Sequence, residues 1–239
     1  MTTFAVAGKG GVGKTTITAL LVGTIPGLKF VVDADPNANL NELLGVNVRK
    51  TIGNEREKIR KSESTTPRQE QLQLAINQCI IEGQDFDMLV MGTPEGQGCY
   101  CAANSILRDA IARLSKDYPY VIIDCAAGME HISRLTVNDV DALLIVVNQS
   151  PRDIEAGLRI EGLTKELKVR VGAVHYIINR STKLDSKLSK RLAGKIIGFV
   201  PEDEIIKKQD SLGRPLTEIT DSRASDAMRR IVSRLGITI

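Results

Sequence analysis

Short runs of almost wholly apolar residues alternate along this chain with stretches whose apolar positions recur at helical spacing. The runs are Phe4–Ala7, Lys29–Asp33, Met88–Met91, Val121–Asp124, Leu143–Val147, Ala173–Ile178 and Ile196–Val200. Apolar and polar residues do not alternate within them, so each reads as a strand covered on both faces, as in a parallel sheet. Strands interleaved with helices predict an α/β fold, a mostly parallel twisted sheet of about seven or eight strands flanked by helices. Right-handed crossovers would put every strand-to-helix loop on the carboxyl edge of that sheet, where ligands bind. Chemistry is therefore expected in the loops after residues 7, 33, 91, 124, 147, 178 and 200.

Residues 46–70 break this rhythm, because Arg, Lys, Glu, Ser and Thr replace the large apolar residues. They predict a solvated helical or flexible insertion, with order returning at Leu72, Ile76 and Ile80 on one helical face. Cys79 sits beside that face and reads as a small core residue. With no internal repeat or second unit evident, residues 1–239 are expected to form one domain.

Composition narrows the class. The 239 residues are 42% hydrophobic and 26% charged, without Trp, so the core must rest on Ile, Val, Leu and Ala. No apolar run approaches the roughly 18–20 residues of a membrane span, and the start of the chain runs directly into a strand. A cytoplasmic protein is expected, with Cys79, Cys99, Cys101 and Cys125 reduced. The net charge of +3 is too mild to imply nucleic acid.

The loop after the first strand carries the strongest chemistry. Gly8-Lys9-Gly10-Gly11-Val12-Gly13-Lys14-Thr15 matches G-x-x-x-x-G-K-[ST] between a strand and a helix opening at Thr16. Glycines let successive N–H groups face phosphate oxygens beside the positive end of the helix. Lys14 would bridge the β- and γ-phosphates of ATP, and Thr15 would give its hydroxyl to Mg²⁺. Asp33 and Asp35 end the second strand on the ligand edge. Asp35 is the candidate for orienting the attacking water, whereas Asp33 either supports the Mg²⁺ shell or caps the next helix. Val121-Ile122-Ile123-Asp124 aims a carboxylate at the same ion. The run Asp124-Cys125-Ala126-Ala127-Gly128 gives D-x-x-G, whose glycine N–H can contact the γ-phosphate and make the following segment a switch. Cys125 reads as a small buried residue and His131 as a structural or switch histidine.

Lys9 makes the pattern more specific. K-G-G-x-G-K-T-T resembles the deviant Walker A motif of the MinD, ParA and nitrogenase iron protein class of ATPases. That resemblance implies hydrolysis of ATP to ADP and phosphate, with Lys9 reaching across a homodimer to the partner's nucleotide. It puts the switch aspartate at Asp35, and the base at Asn179 and the loop Pro201-Glu202.

The loop Gly98-Cys99-Tyr100-Cys101 raises a further possibility. Two thiolates one residue apart fill half of a soft four-ligand site, and a two-fold dimer would supply the other half. Taken alone, buried cysteines are the plainer reading. Combined with Lys9, Asn104-Ser105 and Ala127-Gly128-Met129-Glu130-His131, the chain resembles the CooC-type ATPases that assist nickel insertion into carbon monoxide dehydrogenase. The resemblance implies a nucleotide-dependent dimer holding Ni²⁺ (or Zn²⁺) between paired Cys99 and Cys101, with that dehydrogenase as client and neither nucleic acid nor membrane as partner. Two rivals stand beside it. One is a reductase like nitrogenase iron protein with a [4Fe–4S] cluster, although the second cysteine that family uses has no counterpart here. The other is a ParA- or MinD-like positioning ATPase, for which Lys183, Lys187, Lys190, Arg191, Lys195, Arg229, Arg230 and Arg234 offer basic helix faces.

Overall fold

The computed structural model describes residues 1–37, 39–62, 65–93, 100–127, 139–167, 169–192 and 194–239, with 100–103 as backbone only. In chain order the elements are β1 (Thr2–Gly8), α1 (Lys14–Thr24), β2 (Lys29–Asp33), α2 (Leu40–Leu44), α3 (Ile52–Lys61) and α4 (Arg68–Cys79). They continue as β3 (Ile81–Glu82), β4 (Phe86–Val90), α5 (Tyr100–Leu114), β5 (Tyr120–Asp124), β6 (Asp139–Val147) and α6 (Pro151–Glu166). The chain closes with β7 (Arg170–Asn179), α7 (Ser186–Arg191), β8 (Ile196–Val200), α8 (Glu204–Ser211) and α9 (Arg223–Arg234).

The strands form one sheet in the order β3-β4-β2-β5-β1-β6-β7-β8. Every pairing is parallel except β3 with β4. All seven expected strands are present, and the fold is the mostly parallel, helix-flanked sheet that their apolar runs predict. The addition is β3, a two-residue antiparallel edge too short to leave a periodic signal.

Because successive side chains on a strand face opposite ways, the sheet has two cores. Phe4 and Val6 pack with α1, α2 and α9 on one face. Ala5 and Ala7 pack with residues of α3, α4, α5 and α6 on the other. Tyr176, Phe4 and Phe30 are among the largest fully buried side chains, in a core otherwise mainly aliphatic.

Residues 52–61 form a regular helix. Thr51 caps it by accepting from the Asn54 N–H, and Ile52, Gly53, Glu55 and Glu57 are buried. Arg60 and Lys58 fold back onto Glu57 and Glu55 at 2.6 Å each. Cys79 ends α4 inside the core, where burial and nearby Glu55 push its thiol up to about 11. Among the described residues no helix is long and apolar enough to cross a membrane.

Candidate functional site

The phosphate loop is built by close approach. Gly8 lies opposite Val146 of β6, and a Cβ at Gly8 would meet the Val146 carbonyl at 2.5 Å. Gly11 and Gly13 take φ of 80° and 90°, the left-handed region that glycine enters without a Cβ clash. Gly13 is also the N-cap of α1, so the chain turns straight into a helix with free N–H groups at its start. Lys14 is buried and curls over the loop, donating from Nζ to the Lys9 carbonyl at 3.3 Å. This is a concavity of N–H groups, a helix N-terminus and an ammonium, which suits a polyphosphate.

Two carboxylates stand beside it. Asp33 and Asp124 are direct register partners at the carboxyl ends of β2 and β5, and both are buried. Thr18 Oγ1 donates to Asp124 at 3.1 Å, and the Thr15 hydroxyl donates to it as well. Burial first, then the neighbouring Asp33 charge, pushes Asp124 up to about 7. Burial likewise lifts Asp33 to about 6, against the pull of two N–H groups. Such a pair resists carrying two negative charges until a cation joins it. The hard oxygen donors of Thr15 and Asp124 fit Mg²⁺.

Asp33 holds the following loop in shape. Its two oxygens accept from the N–H groups of Asp35 at 3.0 Å and Leu40 at 3.1 Å. Asp35 accepts from the Asn37 N–H at 2.9 Å, which turns the chain at the ligand edge. Of the two roles open to Asp33, capping the next helix is its visible one, since Leu40 opens α2.

The expected base site is a cavity of about 160 Å³ on the same edge, lined by Thr16, Asn179, Arg180, Pro201, Glu202 and Leu216 among others. Asn179 Nδ2 donates to the Val12 carbonyl at 2.8 Å, so one amide hydrogen already ties this cavity to the phosphate loop. A Cβ on Gly13 would lie 2.4 Å from the same nitrogen. Arg180 has φ 55°, the one positive value among the described non-glycine residues, and its charge helps Lys207 hold Glu202 below the usual carboxylate range. No motif announces Arg180 in the sequence.

Lys9 makes a contact that sequence reasoning missed. Within this protomer its Nζ donates to Asp153 Oδ1 at 3.1 Å. Asp153 sits in the first turn of α6, fixed by its N–H to the Ser150 capping hydroxyl at 3.1 Å. The Ser150-Pro151 start of α6 was the only available signal, a helix cap just after β6 on the ligand edge. The pair leaves Lys9 half exposed, able to exchange partners at small cost.

A family model described as an AAA domain matches residues 1–171. The chain belongs to this family of P-loop ATPases. An uncharacterized ATP-binding protein of Methanocaldococcus jannaschii is 38% identical, covering 91% of each chain. The carbon monoxide dehydrogenase accessory protein CooC of Rhodospirillum rubrum is 29% identical, covering 98% of this chain and 97% of that one. Among solved structures, the septum site-determining protein MinD of Pyrococcus horikoshii complexed with Mg-ADP superposes with a TM-score of 0.71 at 19% identity. It covers 98% of this chain and 95% of that one. That likeness establishes the MinD/ParA type of fold.

In this P-loop ATPase, Gly8 to Thr16, Asp33, Asp35, Asp124, Asn179, Pro201 and Glu202 gather on one edge of the sheet. Cys99, Gly128 and His131 lie outside the described residues, and Cys101 is described only as backbone in the first turn of α5. Cys125 is buried beside Asp124, and burial pushes its thiol up to about 12, which suits a packing role over a ligand. Among the described residues there is no cluster of three or more metal-binding side chains.

Proposed function

We propose that this P-loop ATPase hydrolyses Mg-ATP as a face-to-face homodimer and uses the cycle to hold and release nickel for carbon monoxide dehydrogenase in the cytoplasm. The observation that carries this reading is the Cys-x-Cys pair, Cys99 and Cys101. It falls at the entry to α5 after β4, in a chain 29% identical to the dehydrogenase accessory protein CooC.

The residues divide the work as follows. The N–H groups of Gly10 to Thr16 and the Lys14 ammonium bind the phosphates. The Thr15 hydroxyl and Asp124 hold Mg²⁺, which neutralises phosphate charge when bound. Asp35 orients the attacking water from a loop that Asp33 keeps in shape. Asn179, Pro201 and Glu202 seat the base, while the Gly128 N–H senses the γ-phosphate. Lys9 leaves Asp153 and supplies a cation to the facing protomer's nucleotide as charge shifts toward the leaving oxygen. Phosphoryl transfer needs positioning and charge more than covalent chemistry, and these residues provide both.

A short path supports coupling to the metal loop. The Thr93 hydroxyl donates to the Pro36 carbonyl at 2.9 Å, and the Met91 N–H donates to the Asp33 carbonyl at 2.9 Å. Met91 and Thr93, which follow β4, are thereby fastened to the loop carrying Asp35. Two Cys99/Cys101 pairs on the dimer axis would give four thiolates, suited to Ni²⁺ in square-planar geometry or Zn²⁺ in tetrahedral geometry.

The test is anaerobic activation of nickel-free carbon monoxide dehydrogenase by the nickel-loaded protein. Activation should require hydrolysable ATP and fail with Cys99→Ala/Cys101→Ala. Activation by that variant at the wild-type rate would sink the reading. Iron retained after anaerobic purification, with visible absorption of a cluster, would favour the iron–sulfur reductase instead.

A further inference from the structure

A second groove lies on the far side of Pro201 from the base cavity. It encloses about 350 Å³ between the outer side of β8 and helix α9, and Pro201 lines both spaces. Three guanidinium groups face it, from Arg223, Arg230 and Arg234. Their spacing of seven and then four residues sets them on one face of α9, flanking the stripe of Ala227, Met228 and Ile231 that packs into the core.

These charges are available. Arg223 and Arg230 make no hydrogen bond or ion pair among the described residues. Arg234 spends one nitrogen on the Ile197 carbonyl at 2.6 Å. The acid in the groove, Asp226, is already paired with Arg229 at 2.6 Å. The groove therefore carries an uncompensated positive charge.

Its floor is a sheet edge. β8 is the last strand of the sheet on this side, so its backbone groups facing away from β7 have no strand partner among the described residues. Arg234 occupies one of them, which shows that this edge accepts hydrogen bonds from outside the sheet. Edges are normally blunted by charged residues or proline, yet β8 reads Ile196-Ile197-Gly198-Phe199-Val200 and contains neither. Beside a row of arginines, an uncharged edge strand that is buried at Ile197 and Val200 but lines the groove with Gly198 and Phe199 is a template for an added strand that carries carboxylates.

We propose that β8 and α9 form a docking groove for an extended, acidic polypeptide segment of a partner protein. The segment pairs its backbone with the outer side of β8 and sets alternate Glu or Asp side chains against Arg223 and Arg230. Carboxylates match guanidinium forks in plane and charge, and the backbone contact selects an extended peptide over a duplex nucleic acid. The inference is independent of the metal reading, since it uses no residue of the nucleotide or cysteine loops except the shared wall at Pro201.

Fluorescence anisotropy with a labelled short peptide of alternating Val and Glu tests it. The peptide should bind wild-type protein with an affinity that falls as salt rises. Arg223→Glu/Arg230→Glu should weaken it by at least about ten-fold without changing ATP hydrolysis, as loss of close charge pairs does. The same peptide N-methylated at alternate backbone amides leaves the protein untouched and should also lose at least about ten-fold. The proposal is overturned if wild type ignores the peptide, if charge reversal or N-methylation leaves binding unchanged, or if only a DNA duplex binds through these arginines.

Discussion

At the scale of single residues, Lys9 is the decisive group. In one protomer it rests on Asp153, and in the proposed dimer it serves the facing nucleotide. Lys9→Ala should keep ATP affinity within about three-fold but lower hydrolysis by at least about 10³-fold, as loss of a trans-acting cation does. Steady-state phosphate release beside equilibrium nucleotide binding separates the two effects. Asp153→Asn frees Lys9 from its partner, and a half-exposed pair is worth up to about 1 kcal/mol. Both protomers release one such pair, so sedimentation with ATP should find the variant dimerising up to about thirty-fold more tightly.

The buried pair Asp33 and Asp124 makes a pH-dependent statement at the same scale. Both carboxyls hold protons more tightly in the folded chain, at about 6 and about 7, than the unfolded value near 3.9. Their contribution to nucleotide-free stability is therefore full below pH 4 and is lost as pH rises through about 6 to 7. Thermal melts should decline across that window, and Asp124→Asn should flatten the decline. Mg²⁺ needs the ionised form, so its affinity should climb over the same range. Asp124 was legible as a carboxylate after the apolar run Val121-Ile122-Ile123. Asp153 and Arg180 were not, because one is an ordinary helix-cap neighbour and the other is marked only by its backbone angle.

Among elements, the phosphate loop is tied to β7, and residues 91–93 after β4 are tied to the loop after β2, each by a few specific contacts. Gly13→Ala puts a Cβ at 2.4 Å from Asn179 Nδ2 at a φ of 90°. The strain is worth about 1–3 kcal/mol, so denaturant unfolding should register that loss and ATP affinity should fall by at least about ten-fold. Thr93→Val removes only the hydroxyl that reaches Pro36, at a stability cost of about 1 kcal/mol or less. Calorimetric titration should then find nickel affinity no longer different between ATP and ADP. The strands were legible because burial on both faces left unbroken apolar runs. Helix α3 was obscured because Gly53, Glu55 and Glu57 occupy much of its buried face, covered by their own Lys58 and Arg60. A polar segment of that kind looks solvated until its i,i+3 pairs are seen.

At the scale of the whole molecule, one sheet edge brings together segments from nearly every βα unit. The order β2-β5-β1-β6 sets Asp33, Asp124, Gly8 and the Asp153 turn side by side, although they are spread across more than half the chain. That convergence followed from reading a parallel sheet with right-handed crossovers. The partner is less legible, because a two-fold axis leaves no mark in a single sequence beyond half-complete sites. In the proposed dimer, Lys9 and the Cys99/Cys101 pair are two such halves. The most direct test is sedimentation of the reduced protein titrated with Ni²⁺ in the presence of ATP, beside Cys99→Ala/Cys101→Ala. The account predicts one metal per two chains and metal-driven dimerisation that the double variant loses. One metal per chain, or an unchanged response in the variant, would contradict it.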